Sequence, residues 1–199
     1  VVFMSDNGSE PGQKKWGSGE PFRGLKWSAL EGGTRVPCIL RFPGVIPAGE
    51  VTDKLTTAID LLPTLAGACG IKLKEGPGIV PKMDGLNLWA SLQGKAKTHP
   101  RSNLLYWHGW AMPQAIRVGD FKLYLDKVKE IPGTNKGPVL IDLSKDPGEE
   151  KDLASEHPEK VKELKELASK LLSEIEGNSI SLGGPVNPKK QNKKGAFWL

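Results

Sequence analysis

The chain has 199 residues, of which 38% are hydrophobic and 26% are charged, and its formal net charge at pH 7 is +5. This composition is typical of a soluble globular protein, and the length fits one domain, or one domain with a small subdomain. No apolar run reaches the roughly 20 residues that a membrane-spanning helix requires, so we expect no membrane partner.

The positive charge is concentrated at the C-terminal end. Four lysines, Lys189, Lys190, Lys193 and Lys194, lie within the last eleven residues. No aromatic residue is interleaved among them, and no nucleic-acid-binding motif surrounds them. We therefore predict that residues 178–199 form a basic, flexible tail, and we expect no nucleic-acid partner.

The sequence opens with a short apolar run, residues 1–4, which is followed by polar turn residues. This pattern predicts a buried central strand whose C-terminal end delivers side chains to a site, as in open α/β sheets. Residues 8–25 lack periodicity and are rich in Gly, Pro, Lys and Glu, which is typical of a long functional or disordered loop. Because the chain does not begin with Met and has no signal-peptide pattern, we expect a piece of a longer protein.

Two further elements are predicted in the first half of the chain. Residues 35–42 read as a second buried strand, and residues 60–69 as a helix with Asp60 as its N-cap and Gly70 after its end. The two cysteines, Cys38 and Cys69, are too few for a disulfide framework. Both lie in apolar surroundings along the sequence, so we expect buried free thiols.

The second half changes character. Four short runs predict an antiparallel sheet, at 104–107, 114–118, 121–125 and 139–143, and Gly119-Asp120 predicts a hairpin turn. A helix is predicted from His157-Pro158 to Gly177, with one apolar stripe that would dock on this sheet. The predicted organisation is the end of an α/β domain at 1–95, a small α+β subdomain at 100–177, and the tail.

Asp6 and Asn7 are the first candidates for a site. A carboxylate and an amide oxygen, adjacent at the end of a strand, can both bind a hard cation such as Ca²⁺ or Mg²⁺. Two ligands are too few, since calcium takes six to eight oxygens, so the rest must come from other parts of the protein, substrate or water. Asp-Asn-Gly alone is also a common turn signature.

A series of short motifs follows in a fixed order. They are Arg23-Gly24-Leu25-Lys26, Glu31-Gly32-Gly33-Thr34-Arg35-Val36-Pro37, Arg41-Phe42-Pro43-Gly44, Asp60-Leu61-Leu62-Pro63-Thr64, Asp84-Gly85, Arg117-Val118-Gly119-Asp120-Phe121-Lys122-Leu123 and Asp146-Pro147-Gly148-Glu149. Together with Asp6-Asn7-Gly8, this series resembles the C-terminal half of type I sulfatases, in the alkaline-phosphatase-like superfamily, over about residues 1–175. The resemblance implies an α/β fold: the C-terminal part of an alkaline-phosphatase-like sheet domain, followed by a small subdomain with a short antiparallel sheet and a C-terminal helix.

The resemblance also implies roles for four residues. Asp6 and Asn7 would be calcium ligands, with Mg²⁺ as the other possible ion. Lys26 would be catalytic and would bind the sulfate oxygens, where a fixed ammonium stabilises the charge that develops during sulfuryl transfer. His108 would line the substrate entrance from the subdomain. Glu31 is interpreted as structural, with Arg35 as a possible partner.

The nucleophile of this family is a formylglycine made from Cys or Ser in a Cys/Ser-x-Pro-x-Arg context. Cys38 and Cys69 lack that context, and Ser9-Glu10-Pro11-Gly12-Gln13 has Gln13 where Arg belongs. Formylglycine is therefore expected upstream of this chain. We expect the 199 residues alone to be inactive and prone to aggregation, because they need the N-terminal part.

Other functions remain open at this point. One is a phosphate or phosphonate ester hydrolase of the same superfamily, and the other is a non-catalytic binding module on the sulfatase scaffold. For a sulfatase, the expected partner is a sulfated small molecule or carbohydrate, and the resemblance implies a periplasmic or secreted protein. The sequence does not identify the sulfate ester.

Overall fold

The computed structural model describes residues 1–12, 19–75, 82–108, 112–129, 131 and 137–178, with His108 and Met112 described by their backbones alone. The predicted basic tail lies outside these residues, apart from its first position. None of the described helices is both long enough and apolar enough to cross a membrane.

The first sheet has two strands. β1 (Val2–Met4) pairs antiparallel with β2 (Cys38–Leu40), with Phe3 opposite Ile39. Between them along the chain lies a short helix, α1 (Glu31–Thr34). β2 is shorter than the predicted strand at 35–42, because only Cys38, Ile39 and Leu40 pair with β1.

The prediction that both of these strands are buried is wrong for the described chain. Phe3 is 65% exposed and Ile39 is 59% exposed. Both cysteines, Cys38 and Cys69, are also exposed, which corrects the expectation of buried thiols. The physical reason is that a two-stranded pair has too little packing surface to bury its own apolar side chains without further strands or another layer.

The predicted helix at 60–69 is present. A 3₁₀ turn (Ala58–Asp60) leads into α2 (Leu61–Ala68), and Gly70 follows the end with a left-handed φ of 68°. Asp60 is the N-cap residue by position, but its side chain does not cap α2. It is directed instead toward Arg101 and the backbone of Leu86. A four-residue helix, α3 (Trp89–Leu92), completes this part.

The second half forms the predicted antiparallel sheet. Its strands are β3 (Asn103–His108), β4 (Met112–Val118), β5 (Phe121–Tyr124) and β6 (Val139–Asp142), in the spatial order β3-β4-β5-β6. β4 and β5 are joined through Gly119 and Asp120, as predicted, and Gly119 has the positive φ that such a tight turn requires.

Both faces of this sheet are buried. Helix α4 (Pro158–Asn178) packs on one face, where Leu164 and Ala168 contact a cluster that includes Ile116 and Leu123. On the other face, Tyr124 and its neighbours pack against Ala29 and Leu30, which directly precede α1. The sheet is therefore the layer that joins the C-terminal helix to the loop leading into α1.

Candidate active site

The polar turn after β1 is held by its own hydrogen bonds. The backbone N–H of Asn7 donates to Oδ1 of Asp6 at 2.9 Å, and the Asn7 side-chain amide donates from Nδ2 to the carbonyl of Gly8 at 3.0 Å. Since the amide nitrogen of Asn7 is used in this way, its oxygen is the atom that can bind a cation or an external donor. Asp6 is exposed, so its carboxylate is accessible.

Glycines bring this turn against the Glu-Gly-Gly motif. Gly8 donates its N–H to the carbonyl of Gly33 at 3.0 Å, and a Cβ placed on Gly8 would lie only 1.9 Å from the carbonyl oxygen of Gly32. Gly32 in turn donates to the carbonyl of Arg23 at 2.7 Å. The backbone of three separate motifs therefore meets at one point, and a side chain at Gly8 would keep them apart.

Lys26 lies on the loop that this contact fixes. Its backbone N–H donates to the carbonyl of Ser9 at 2.9 Å, and its ammonium lies 2.9 Å from Oε2 of Glu10. The hydrogen bond and the charge of Glu10 raise the pKa of Lys26, partial burial lowers it, and the negative charge of Asp6 raises it further. Lys26 is therefore a cation within electrostatic reach of Asp6, and Glu10 is its ion-pair partner.

Glu31 is fully buried and is a structural acid, as the sequence suggested. Its Oε1 lies 2.8 Å from the ammonium of Lys122, and its Oε2 lies 3.5 Å from Arg117 and 3.8 Å from Arg35. The proposed pairing of Glu31 with Arg35 is therefore present. Three cations surround one buried carboxylate, and the two of them on the second sheet, Lys122 and Arg117, tie α1 to that sheet.

Glu149 and Lys122 are the structural residues that the sequence reasoning missed. Glu149 is buried beside Lys122 at 3.0 Å, accepts the N–H of Glu31 at 2.7 Å, and accepts the hydroxyl of Tyr124 at 2.5 Å. Burial and the charge of Glu149 raise the pKa of Tyr124, which stays a neutral donor. The sequence did indicate a buried cation here, because Lys122 lies within the otherwise apolar strand Phe121–Tyr124.

A second buried ion pair brings two more of the quoted motifs together. Arg101 donates from Nε to Oδ2 of Asp60 at 2.8 Å and from Nη2 to the carbonyl of Asp84 at 2.8 Å. Leu86 donates its N–H to Oδ1 of Asp60 at 2.7 Å. Asp60 therefore joins the start of α2 to the segment that follows Asp84-Gly85.

The structure thus brings Asp6, Asn7 and Lys26 into one region. His108 lies at the end of β3, but its side chain falls outside the described part of the chain, so its predicted role is untested. Within the described residues, no group of three or more His, Cys, Asp or Glu side chains is arranged to hold a metal. The candidate site therefore contains two oxygen-bearing side chains, those of Asp6 and Asn7, and one cation, Lys26.

Comparison with known proteins identifies the family. Residues 1–71 match the family model described as Sulfatase. A sulfatase of Formosa agariphila is 32% identical over 202 residues, which covers 94% of this chain and 34% of that protein. Human arylsulfatase A is 32% identical over 191 residues, which covers 84% of this chain and 36% of that protein. The chain thus spans about a third of the length of these relatives.

Solved structures agree with this result. The crystal structure of Ps i-CgsB in complex with k-i-k-neocarrahexaose superposes with a TM-score of 0.66 at 27% identity, covering 85% of this chain and 35% of that one. The PsFucS1 sulfatase from Pseudoalteromonas sp. superposes with a TM-score of 0.76 at 22% identity, covering 90% of this chain and 38% of that one, so the described architecture with two sheets and a C-terminal helix is shared with a sulfatase. The chain belongs to the sulfatase family.

Proposed function

We propose that this chain is the C-terminal part of an enzyme that hydrolyses sulfate esters, with a formylglycine nucleophile located outside residues 1–199. The observation that carries the proposal is the position of Lys26. Its backbone lies on the loop that Gly8, Gly32 and Gly33 hold beside Asp6 and Asn7, and its ammonium is paired with Glu10. Family membership and this grouping of a cation with two oxygen ligands support the same chemistry.

In this proposal, Lys26 binds the oxygens of the sulfate group and stabilises the negative charge that develops on them. Glu10 is the present partner of the Lys26 ammonium, at 2.9 Å, and its side chain is 43% exposed. A sulfate ester entering the site therefore replaces an accessible carboxylate on Lys26. Before the substrate enters, the pairing with Glu10 raises the pKa of Lys26 and so favours the protonated form that binds an anion.

Ca²⁺ is the cofactor we propose, with Mg²⁺ as the alternative. The donor chemistry of this chain fits, because the Asp6 carboxylate is exposed and the Asn7 amide has its oxygen available while its nitrogen donates to Gly8. When bound, the cation would supply positive charge next to the sulfate oxygens. The remaining ligands would come from the rest of the protein.

The natural partner we propose is a sulfated carbohydrate or another sulfated small molecule. A structural relative at 27% identity was solved in complex with the oligosaccharide k-i-k-neocarrahexaose, and this supports a carbohydrate as the molecule that carries the sulfate.

A periplasmic or secreted location is part of the same proposal and follows from the resemblance to the family.

The activity test uses the longer protein that contains these residues. We expect it to hydrolyse p-nitrophenyl sulfate in preference to p-nitrophenyl phosphate, and Lys26→Ala to lower kcat by about 10²–10³-fold. The matched control is Lys165→Ala, which removes an exposed lysine of α4. Full activity in Lys26→Ala, or a preference for the phosphate ester, would contradict the proposal.

The nucleophile and the metal are tested separately. An aldehyde-reactive hydrazide should label the longer protein but not the 199-residue chain, and the shorter chain should not turn over an aryl sulfate. Chelation should abolish hydrolysis, with recovery on adding Ca²⁺. Labelling or turnover by the 199 residues alone would place the nucleophile within them and overturn that part of the proposal.

A further inference from the structure

Trp27, next to Lys26, is the most unusual surface residue near the candidate site. Its side chain is 74% exposed, and the Lys26 ammonium lies 5.3 Å from the centre of its ring. A large apolar ring left in water loses the stabilisation that burial normally gives an aromatic side chain. Its position therefore calls for a reason other than packing within the described chain.

The backbone at Trp27 adds a second cost. Leu25 to Ser28 form a turn closed by the N–H of Ser28 on the carbonyl of Leu25 at 3.0 Å, and Trp27 is the third residue of that turn, with φ at 75°. Turns of this kind normally place Gly or Asn there, because a side chain is strained at positive φ. Non-glycine residues held in such conformations cluster at functional sites.

We propose that Trp27 is a substrate-binding residue, whose indole ring stacks against the sugar ring that carries the sulfate held by Lys26. This inference rests on the proposed sulfate-ester function. It goes further by assigning the sugar to a particular side chain.

The relative positions of the two side chains fit this substrate. A sulfate ester is joined to a pyranose ring through one oxygen, or through one additional carbon, so the anion and the apolar C–H face of the sugar are close together. Lys26 and Trp27 likewise present a cation and an aromatic ring close together, 5.3 Å apart on one turn. The turn, with Trp27 at positive φ, sets this ring on the surface of the described chain beside the Lys26 ammonium.

The test uses the active longer protein and compares two probes. Inorganic sulfate, as a competitive inhibitor, reports the anion site alone. A panel of galactose and glucosamine monosulfates reports the anion site and the sugar together. We expect Trp27→Gly to raise KM for the sugar sulfate that is turned over by about tenfold, which corresponds to one aromatic stacking contact. The inhibition constant of inorganic sulfate should not change.

Two further variants separate stacking from folding. Trp27→Phe keeps an aromatic face and should recover most of the affinity for the sugar. Trp107→Phe is the matched control, since Trp107 is an exposed tryptophan on β3 without a positive φ, and it should behave as wild type. Because Gly relieves the positive φ, Trp27→Gly should not lower the melting temperature.

Three results would overturn the inference. They are an unchanged KM for sugar sulfates in Trp27→Gly, an equal weakening of inorganic sulfate, and a clear fall in melting temperature, which would make Trp27 a packing residue. Lys26→Ala distinguishes this failure from failure of the proposed function. If Lys26→Ala weakens inorganic sulfate while Trp27→Gly has no effect on the sugar, only the inference about Trp27 is wrong.

Discussion

The ammonium of Lys122 lies 2.8 Å from Oε1 of Glu31, although the two residues are 91 positions apart in the chain. Lys122 belongs to β5 of the second sheet, and Glu31 begins α1. The next two residues of α1, Gly32 and Gly33, contact the loop at Arg23 and the turn at Gly8. The buried pair therefore connects the C-terminal sheet to the backbone that positions the candidate site.

Lys122→Met should destabilise the protein strongly. The substitution keeps the length of the side chain but leaves two buried carboxylates, Glu31 and Glu149, without their shared cation. Breaking such a pair typically costs about 3–5 kcal/mol in unfolding free energy. Urea denaturation followed by circular dichroism measures the loss. The control is Lys151→Met, which removes an exposed pair with Glu156, and a similar loss in both variants would contradict the argument.

Gly8→Ala should separate the Asp6–Asn7 turn from the Glu-Gly-Gly motif. The added Cβ would lie 1.9 Å from the carbonyl oxygen of Gly32, so the backbone must move. We expect a loss of about 1–3 kcal/mol in unfolding free energy, and a shift of the Gly33 amide region in NMR spectra. Gly177→Ala is the matched control, because its Cβ meets no atom within 4 Å. An unperturbed Gly8→Ala protein would contradict this account of the contact.

Glu10→Gln should lower the pKa of Lys26. The hydrogen bond that the Lys26 ammonium donates to Glu10 and the negative charge of Glu10 are the leading causes that raise this pKa, and the substitution removes the charge. An NMR titration of the lysine side-chain resonances measures the change. Glu156→Gln, which removes a carboxylate paired with a different lysine, should leave Lys26 unchanged. If both variants titrate alike, Glu10 is not the partner of Lys26 in solution.

Asp60→Asn should remove a pH-dependent part of the stability. Burial works to raise the pKa of Asp60, but hydrogen bonds from Arg101, Leu86 and Thr57 together lower it below the ordinary value. A lowered pKa in the folded state contributes stability above about pH 4, and this contribution is lost as the pH falls further, because the unfolded chain takes up the proton first.

The measurement is the difference in unfolding free energy between wild type and Asp60→Asn at several pH values. We expect about 3 kcal/mol or more near neutral pH, because Arg101 is left without its buried partner. This difference should shrink below about pH 4. The exposed Asp53→Asn variant should show no such trend. A pH-independent difference would mean that Asp60 contributes through shape and not through charge.

Local patterns were sufficient to predict most of the strands and the helix in the second half of the chain. The apolar stripe ending at Gly177 indicated α4, and Gly119-Asp120 marked the hairpin between β4 and β5. These elements depend on short-range spacing, which the sequence displays directly. The same reasoning was wrong about Cys38 and Cys69, because burial depends on what covers a strand or helix, and no local pattern contains that information.

The sequence by itself determined the order of the elements, the family resemblance, and the identity of Asp6, Asn7 and Lys26 as candidate site residues. Only the tertiary structure decided which distant groups meet. It paired Glu31 with Lys122 and Glu149, paired Lys26 with Glu10, and set Trp27 outward at positive φ. The physical reason is that charge pairing and desolvation depend on separations in space, whereas a sequence gives only separations along the chain.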